Sequence, residues 1–339
     1  MAQRRDRPVS IRDVARASGV SLTTVSLVLN GTDKRISQST RERVLAAIRE
    51  LGYRPNRLAQ GLQNRRSRIV GVLVPPFAEF AGETGLGDIL AGIHEAALDN
   101  GYRMLVEAAS GPYIESRRYV ELFEQCFVDA LIVFGCALTP EAESGDGGRD
   151  PVIHINEPHT DSSVRLDYAS AAERAVRHLR ELGHQEIGVL AMSGTSGEMF
   201  VQAVANALAR GPQPRVPAQI RQAAPTRSGG AAVVEMHRAS PQMTGLIVQS
   251  SDAAIGAITA LRLAGIEVPR QISLVACEDQ LACSRNKPAI TTTGGGLFDL
   301  GRTAALTALR QVREREPSSV EILDGMLHAR ASSGPPPTA

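Results

Sequence analysis

Residues 10–30 read SIRDVARASGVSLTTVSLVLN, and this stretch predicts two short helices joined by a tight turn. Ser10 is a candidate N-cap with Asp13 three residues later, an acidic variant of the capping box, so a helix should begin at residue 11. Gly19 lies in the turn between the helices, where glycine adopts positive φ at little cost. The stretch therefore has the length and punctuation of a helix-turn-helix.

The apolar spacing gives each helix one buried face. Val14 and Ala15 should face inward on the first helix, Val20 should hold the two helices together, and Ser21 should cap the second. The inner face of the second helix is expected to hold Val25, Val28 and Leu29. Its outer face is expected to hold Leu22, Thr23, Ser26 and Leu27. A recognition helix meets DNA bases at this N-terminal end, and the alternative is a hairpin whose outer face is only solvated.

The pattern I-x-D-V-A-x-x-x-G-V-S-x-x-T-V-S-x-V-L-N resembles the headpiece of the LacI/GalR family of bacterial transcription repressors. The resemblance continues over residues 37–52, a predicted third helix that ends at Gly52. Its apolar stripe is predicted to consist of Val44, Leu45, Ile48 and Leu51. Residues 53–62, YRPNRLAQGL, are similar to the hinge helix of the family.

The hinge-like segment is too short to form a stable helix by itself. Asn56 can cap about two turns, and Gly61 weakens such a helix by about 1 kcal/mol relative to alanine. The segment should therefore fold only against a partner, as a pair of helices in a minor groove. The resemblance makes Leu62 the wedge that opens a base step and Ala59 its neighbour. The alternative is a flexible linker whose leucine docks on the next domain.

The charges are distributed unevenly along the 339 residues. Residues 1–68 contain 15 Lys and Arg against 5 Asp and Glu, whereas the rest contains 22 against 31. This basic head on an acidic body is typical of a protein that binds the phosphate backbone through one end. The alternative is a basic tail that is only solvated.

Several classes of protein are not indicated by the sequence. No apolar run has the length of a signal peptide or of a membrane span, so a cytoplasmic protein that does not bind membranes is expected. The four cysteines lack C-x-x-C spacing and are expected to be reduced thiols. Neither a metal site nor a cofactor is expected.

Beyond residue 68, short apolar runs alternate with amphipathic segments, which predicts an α/β fold with parallel, doubly wound sheets. Strands are predicted at residues 69–74, 103–108, 130–134, 152–155, 187–191, 245–248 and 272–276. Helices are predicted at residues 87–100, 115–126, 168–182, 200–210, 228–238 and 252–264. This many strands require two sheets.

The resemblance implies a periplasmic-binding-protein-like core of two such α/β subdomains with a ligand cleft between them. It divides the chain into a helix-turn-helix headpiece (residues 1–55), a hinge helix and linker (56–68), the core (69–334) and a disordered tail (335–339). The N-subdomain is expected at residues 69–163 and 295–319. The C-subdomain is expected at residues 164–294 and 320–334.

No motif indicates an enzyme, since neither a G-x-S-x-G elbow nor a P-loop occurs. The glycine run at residues 294–296 follows a Thr-rich strand and precedes a helix. A crossover between subdomains explains it better than a phosphate-binding nest does.

The expected effector-binding residues are Phe200, Ser250 and Glu278, and they depart from the pattern of the family. Sugar-responsive members have an arginine at the position of Phe200 and an asparagine at the position of Ser250, whereas Glu278 keeps the carboxylate of the family. Without the arginine fork, a simple monosaccharide is not expected to be the effector. The open alternatives are an apolar or aromatic ligand near Phe200 with Glu278 accepting a donor, a cleft without an effector, and Phe200 as simple core filling.

The base-reading positions also depart from the family, because Leu27 replaces an arginine that is common among its members. Leu22 and Thr23 occupy the two main specificity positions. Leucines can contact thymine methyl groups but cannot form paired hydrogen bonds to guanine, so methyl contacts and hydroxyls should set the base preference. The resemblance implies a DNA interface of Ser10, Ser21, Leu22, Thr23, Thr24, Ser26, Leu27, Asn30, Ser37, Thr40, Tyr53, Asn56, Ala59 and Leu62.

The resemblance and the charge pattern together predict a transcriptional regulator, expected to be a repressor. It should bind a palindromic operator on double-stranded DNA as a homodimer, under the control of a small molecule of unknown identity in the cleft. The alternative is a small-molecule-binding protein of the sugar-binding type without a role in gene regulation.

Overall fold

The computed structural model describes residues 9–30, 36–53, 66–80, 83–136, 138, 150–210, 217–315 and 317–337. The chain divides into two compact units, residues 1–67 and 68–339. Within the described residues, no helix is long and apolar enough to cross a membrane.

The first unit contains three helices, α1 (Ile11–Ser18), α2 (Leu22–Asn30) and α3 (Gln38–Leu51). They enclose a small core whose buried members are Val14, Ala15, Val25, Val28, Val44 and Ala47. The prediction for α3 was partly wrong, because Leu45 and Leu51 are 38% and 37% exposed. Leu45 follows Val44 directly and is therefore rotated away from the core, and Leu51 is the last residue of the helix.

Each end of these helices is fixed by its sequence. The Ser10 N–H and hydroxyl donate to Asp13 Oδ2 at 2.9 and 2.6 Å, which confirms the predicted cap. The Thr24 N–H donates to Ser21 Oγ at 3.1 Å at the start of α2. Gly19 follows α1 with φ of 66° and Gly52 follows α3 with φ of 63°, so both helices end in the left-handed turn that favours glycine.

The second unit contains two sheets in which all strands pair in parallel. The strands are β1 (Ile69–Val74), β2 (Arg103–Ala108), β3 (Ala130–Phe134), β4 (Val152–Ile155), β5 (Ser163–Leu166), β6 (Ile187–Met192), β7 (Ile220–Ala223), β8 (Gly245–Val248), β9 (Ser273–Ala276), β10 (Thr291–Thr292) and β11 (Val320–Leu323). The strand orders are β11-β5-β4-β3-β1-β2 and β10-β9-β8-β6-β7. The predicted α/β class with two doubly wound sheets is confirmed.

Helices cover the faces of both sheets. They are α4 (Gly85–Asp99), α5 (Gly111–Glu115), α6 (Arg118–Glu124), α7 (Tyr168–Glu181), α8 (Thr195–Ala209), α9 (Ala232–Ala239), α10 (Ser251–Leu263), α11 (Leu281–Arg285) and α12 (Leu297–Glu314), with 3-10 turns at Phe77–Phe80 and Gly229–Ala231. The helix predicted at 115–126 is two helices, since Arg117 between them has φ of 56°. Separate apolar clusters lie on the two sides of each sheet.

Sheet membership places two crossovers later than the predicted subdomain limits. Both β5 and β11 pair in the first sheet, so the chain leaves that sheet after residues 166 and 323 rather than after 163 and 319. The third crossover follows β10 at the glycine run. A Cβ on Gly294 would lie 1.8 Å from the Cys277 carbonyl oxygen, and one on Gly325 would lie 2.1 Å from the Gly294 carbonyl carbon. Glycine is required there because two crossing segments run in contact.

Candidate functional site

The first candidate surface is the outer face of α2. Leu22 is 43% exposed, and Ser21 and Thr23 are also exposed. Thr24, Ser26 and Leu27 are half-buried. Because Val25 and Val28 anchor the opposite face in the core, this face is held outward on a rigid helix. This face can therefore make apolar contacts through its exposed leucine and hydrogen bonds through its hydroxyl groups to the same partner surface.

Several of the predicted DNA-binding hydroxyls serve as helix caps. Ser37 Oγ donates to Thr40 Oγ1 at 2.8 Å and accepts from the Thr40 N–H at 3.3 Å. Ser10 and Ser21 occupy the corresponding positions before α1 and α2. Caps of this kind leave other N–H groups of the first turn available to an anion, so a capping role does not exclude a phosphate contact.

The remaining predicted DNA-binding residues are placed as follows. Tyr53 is half-buried and packs against the core of the first unit. Asn30 ends α2, and its side chain lies outside the described part of the structure. Asn56, Ala59 and Leu62 lie outside the described residues, so their assignment to a hinge helix stays a prediction.

The second candidate site is a cavity of about 460 Å³ in the second unit. Its wall includes residues that follow the carboxyl ends of strands from both sheets: Pro75, Gly135, Asn156, Ser250 and Glu278. In both sheets the chain reverses direction beside the first strand, giving the orders β2-β1-β3 and β7-β6-β8. Ligands of open α/β sheets bind at such switch points, outside the carboxyl ends of the strands.

Glu278 is a buried carboxylate of this cavity, with 5% of its surface exposed. The Tyr168 hydroxyl donates to its Oε1 at 2.6 Å, and the Ser251 N–H and hydroxyl donate to its Oε2 at 2.9 and 3.1 Å. Burial raises the pKa of Glu278 above its ordinary value, although these hydrogen bonds act to lower it. The site thus holds a carboxylate that is oriented by the protein and poorly solvated.

The sequence predicted two of the residues that line the cavity and misplaced a third. Ser250 and Glu278 line it, and Ser250 caps α10 while its hydroxyl donates to the Pro225 carbonyl at 3.3 Å. Phe200 is only 1% exposed and packs in the core of the second sheet, as the core-filling alternative described. Its ring meets Tyr168 edge-on, with 6.0 Å between centroids, so it supports the wall of this cavity without lining it, and it lines a smaller space of about 180 Å³ on the other side of Tyr168.

The structure adds Asp252, which the sequence analysis missed. Asp252 Oδ1 accepts from the Thr84 N–H at 3.1 Å and the Thr84 hydroxyl at 2.8 Å, and its Oδ2 accepts from the Gly85 N–H at 2.8 Å. Thr84 is the N-cap residue of α4 and makes no side-chain cap bond itself. Asp252 lies in the first turn of α10, after β8 of the second sheet. It therefore caps a helix that packs on the first sheet. Nothing in the local sequence signals a cap so distant along the chain.

Two further contacts join the same segments. The Arg227 N–H donates to the Glu83 carboxylate at 3.0 and 3.1 Å, and the Leu281 N–H donates to Asp88 Oδ2 at 3.3 Å. Burial raises the pKa of both Glu83 and Asp88. We call Glu83, Thr84, Gly85, Asp252 and Arg227 the latch, since they join the two subdomains beside the cavity.

We predict that Glu278→Gln stabilises the protein increasingly as pH rises above about 4.5, the ordinary pKa of this carboxyl group. Burial raises the folded-state pKa, so both states are protonated at low pH. As pH rises, the unfolded state releases its proton first, which stabilises it relative to the folded state. The difference in unfolding free energy between the Glu278→Gln variant and wild-type protein, measured with urea at each pH, should therefore grow with pH. Glu235→Gln, on an exposed residue of α9, should show no such trend. A difference that shrinks with pH would contradict the prediction.

Comparison with known proteins assigns both units. Residues 10–56 match the model of bacterial regulatory proteins of the lacI family, and residues 176–333 match the periplasmic binding protein-like domain. The chain is 30% identical to the HTH-type transcriptional regulator AglR of Rhizobium meliloti (strain 1021), over 97% of this chain and 96% of the relative. It is 27% identical to the HTH-type transcriptional repressor CytR of Escherichia coli (strain K12), over 98% of each.

Among solved structures, the Lac repressor dimer bound to operator and the anti-inducer ONPF superimposes with a TM-score of 0.81. The two sequences are 27% identical, and the match covers 97% of this chain and 100% of the other. The similarity therefore spans the helical unit and the unit that holds the cavity.

Proposed function

The chain belongs to the LacI family of bacterial regulatory proteins and is a DNA-binding transcriptional regulator rather than an enzyme, and we propose that it is a homodimeric repressor. The observation that carries this proposal is the helix-turn-helix of α1 and α2, with Leu22 and Thr23 exposed at the N-terminal end of the second helix. A DNA-binding protein of this kind acts where the chromosome lies, so we place it in the cytoplasm.

The operator of such a dimer is a palindrome with one half-site for each headpiece. In this proposal α2 enters the major groove, and the N-termini of α1 and α3 approach phosphates through the caps at Ser10 and Ser37. The hinge helix at residues 56–62 would fold against its copy in the partner chain, with Leu62 as the wedge.

The cavity of the second unit is the proposed effector site. It is bounded by residues of both sheets, so a ligand there contacts both subdomains at once. A ligand that binds one arrangement better shifts the population toward it and changes DNA affinity by linkage. Because Phe200 replaces the arginine of sugar-responsive members and lies in the core, we propose that the effector is not a simple monosaccharide.

The test is selection of genomic fragments with the purified protein, followed by footprinting of the best site with and without metabolites of the neighbouring operon. A palindromic footprint that a metabolite weakens or strengthens would support the proposal. Binding that is sensitive to salt but independent of sequence would overturn it, because phosphate contacts alone carry no base preference. A metabolite that binds without any specific footprint would favour the alternative of a binding protein without a regulatory role.

We predict that Leu22→Ala weakens operator binding by about tenfold because it removes contacts to thymine methyl groups. Deoxyuridine lacks that methyl group, so substituting it for the contacted thymine should weaken wild-type binding similarly. The two losses should not add when combined, which a double-mutant cycle of operator affinities would show. Leu45→Ala provides the control, since Leu45 is a similarly exposed leucine on α3. Additive losses would mean that Leu22 does not touch that methyl group.

A further inference from the structure

The charged groups that line the cavity all have one sign. Glu83, Glu157, Asp252 and Glu278 belong to its wall, and no lysine or arginine is among the described residues that line it. His154 also lines it, but burial lowers the pKa of this imidazole and favours its neutral form. Within the described part of the wall, a ligand entering this space therefore meets carboxylates, and the guanidinium of Arg227 lies behind one of them, 3.9 Å from Asp252. Anionic ligands, and ligands recognised through an arginine fork, are disfavoured by this charge pattern.

The polar donors of the wall are largely committed to the protein itself. The Tyr168 hydroxyl donates to Glu278 at 2.6 Å, and the Ser250 hydroxyl donates to the Pro225 carbonyl at 3.3 Å. The Asn156 side chain accepts from the Leu166 N–H at 2.9 Å and directs its amide group toward Tyr168 Oη at 3.5 Å. The Ser196 hydroxyl and one N–H of a neutral His154 are the remaining N–H and O–H side-chain donors among the described lining residues, so carboxylate acceptors dominate the wall and favour a ligand that supplies N–H or O–H groups.

The carboxylates differ in how their charge is balanced. Arg227 Nε lies 3.9 Å from Asp252 Oδ1, and the Arg227 N–H donates to Glu83. The carboxylates of Asp252 and Glu83 are therefore both in contact with Arg227 in the latch. Glu278 is held by a tyrosine, a serine and one backbone N–H, and the charge of Asp252 further disfavours its ionised form. Among the described residues, Tyr168 is the one hydrogen-bond donor to its Oε1, which has room for another. No lysine or arginine of the described residues forms an ion pair with Glu278, so this part of the chain does not supply the cation that would stabilise a buried carboxylate.

The rest of the wall is apolar. Leu86, Ile89, Phe134, Ile155 and Leu297 line the same space, which has the volume of a site for a small organic molecule. A small inorganic cation would leave this apolar surface uncovered. The combination of a buried carboxylate that has no ion pair among the described residues with apolar and aromatic walls fits a cation that carries a hydrocarbon body.

We propose that the cleft binds an organic cation, a protonated amine or amidinium on an apolar body, with Glu278 as its counter-ion. This inference rests on the proposed effector site and specifies the chemical class of its ligand. The ammonium would donate to Glu278 Oε1 while its apolar body packs between the walls of the two subdomains.

The test is calorimetric titration of the full-length protein with matched pairs of ammonium and alcohol probes. The pairs are benzylamine with benzyl alcohol, 2-phenylethylamine with 2-phenylethanol, and cyclohexylmethylamine with cyclohexylmethanol, and glucose is the neutral polyol. In at least one pair the ammonium should bind about tenfold more tightly than its alcohol. Glu278→Gln should bring the two affinities within about twofold of each other, whereas Glu235→Gln should preserve the preference.

Equal binding of ammonium and alcohol, tighter binding of glucose, or no binding of any ammonium would overturn the inference, and each is measured on wild-type protein. A footprint that responds to a metabolite while no ammonium competes with it would reject the cationic class and leave effector control intact. A specific footprint that no metabolite alters would instead reject the proposed effector control. Circular dichroism of the Glu278→Gln protein would establish that its loss of preference is not a loss of fold.

Discussion

Replacing Val25 by aspartate is expected to abolish specific operator binding, lowering affinity by about a thousandfold to the non-specific level. Val25 is 0% exposed in a core built from only a few side chains of α1, α2 and α3. A carboxylate at this position has no partner among them, and burying it costs more than so small a core can offset. The loss would be measured as fluorescence anisotropy of an operator fragment obtained by the genomic selection.

The control for Val25→Asp is Leu45→Asp, which places the same charge at an exposed position of the same three-helix unit. Leu45→Asp should leave the unit folded. The second unit should unfold at the same temperature in wild-type and Val25→Asp protein, because it forms a compact body of its own. Specific binding by the Val25→Asp protein would show that α2 does not need this core to reach DNA.

The parts of the fold that the sequence predicted are those governed by burial. Continuous apolar runs marked β1, β3 and β8, because a strand covered on both faces has no polar side to break the run. Strands β7 and β11 were not predicted, and both lie at sheet edges. The sequence IRQA of β7 exposes three successive residues, and the sequence VEIL of β11 exposes every second residue. Their pairing is decided by backbone hydrogen bonds to one neighbouring strand, which is β6 for β7 and the distant β5 for β11.

Residues of the cavity could be predicted only where the sequence immediately around them indicates their role. Glu278 follows a core strand and resembles the carboxylate of the family, and Ser250 precedes a helix as caps do. The family resemblance placed Phe200 at the position of a ligand-binding arginine, but a phenyl ring gains more from burial in the core than from exposure in a cleft. Asp252 had no such signal, because its partners Thr84 and Gly85 lie on the other subdomain.

Removing the Asp252 carboxylate is expected to release the latch and open the cleft. Asp252→Ala leaves the Thr84 and Gly85 N–H groups at the start of α4 without their acceptor. Hydrogen bonds to a charged group contribute about 1.5–3 kcal/mol each, so losing two or more should shift the balance from closed to open by at least about a hundredfold. Hydrogen exchange at the Thr84 and Gly85 amides, followed by mass spectrometry, should accelerate accordingly.

A graded series separates the latch from general destabilisation. Thr84→Val removes only the hydroxyl donor and keeps both N–H bonds to Asp252, so its acceleration should be smaller than that of Asp252→Ala. Glu235→Ala, on the exposed face of α9, should change exchange at neither amide. Equal exchange in Asp252→Ala and wild-type protein would mean that other contacts, such as Arg227 with Glu83, hold the subdomains together.

The latch also tests whether closure of the cleft governs DNA binding. If the open and closed arrangements differ in operator affinity, linkage requires Asp252→Ala to change that affinity without any change in the headpiece. The direction reports the mechanism: weaker binding means that the closed cleft favours the operator, and tighter binding means that the open cleft does. If the cleft opens and operator affinity does not change, cleft closure and DNA binding are not coupled. An effector would then have to control DNA binding by a route other than cleft closure.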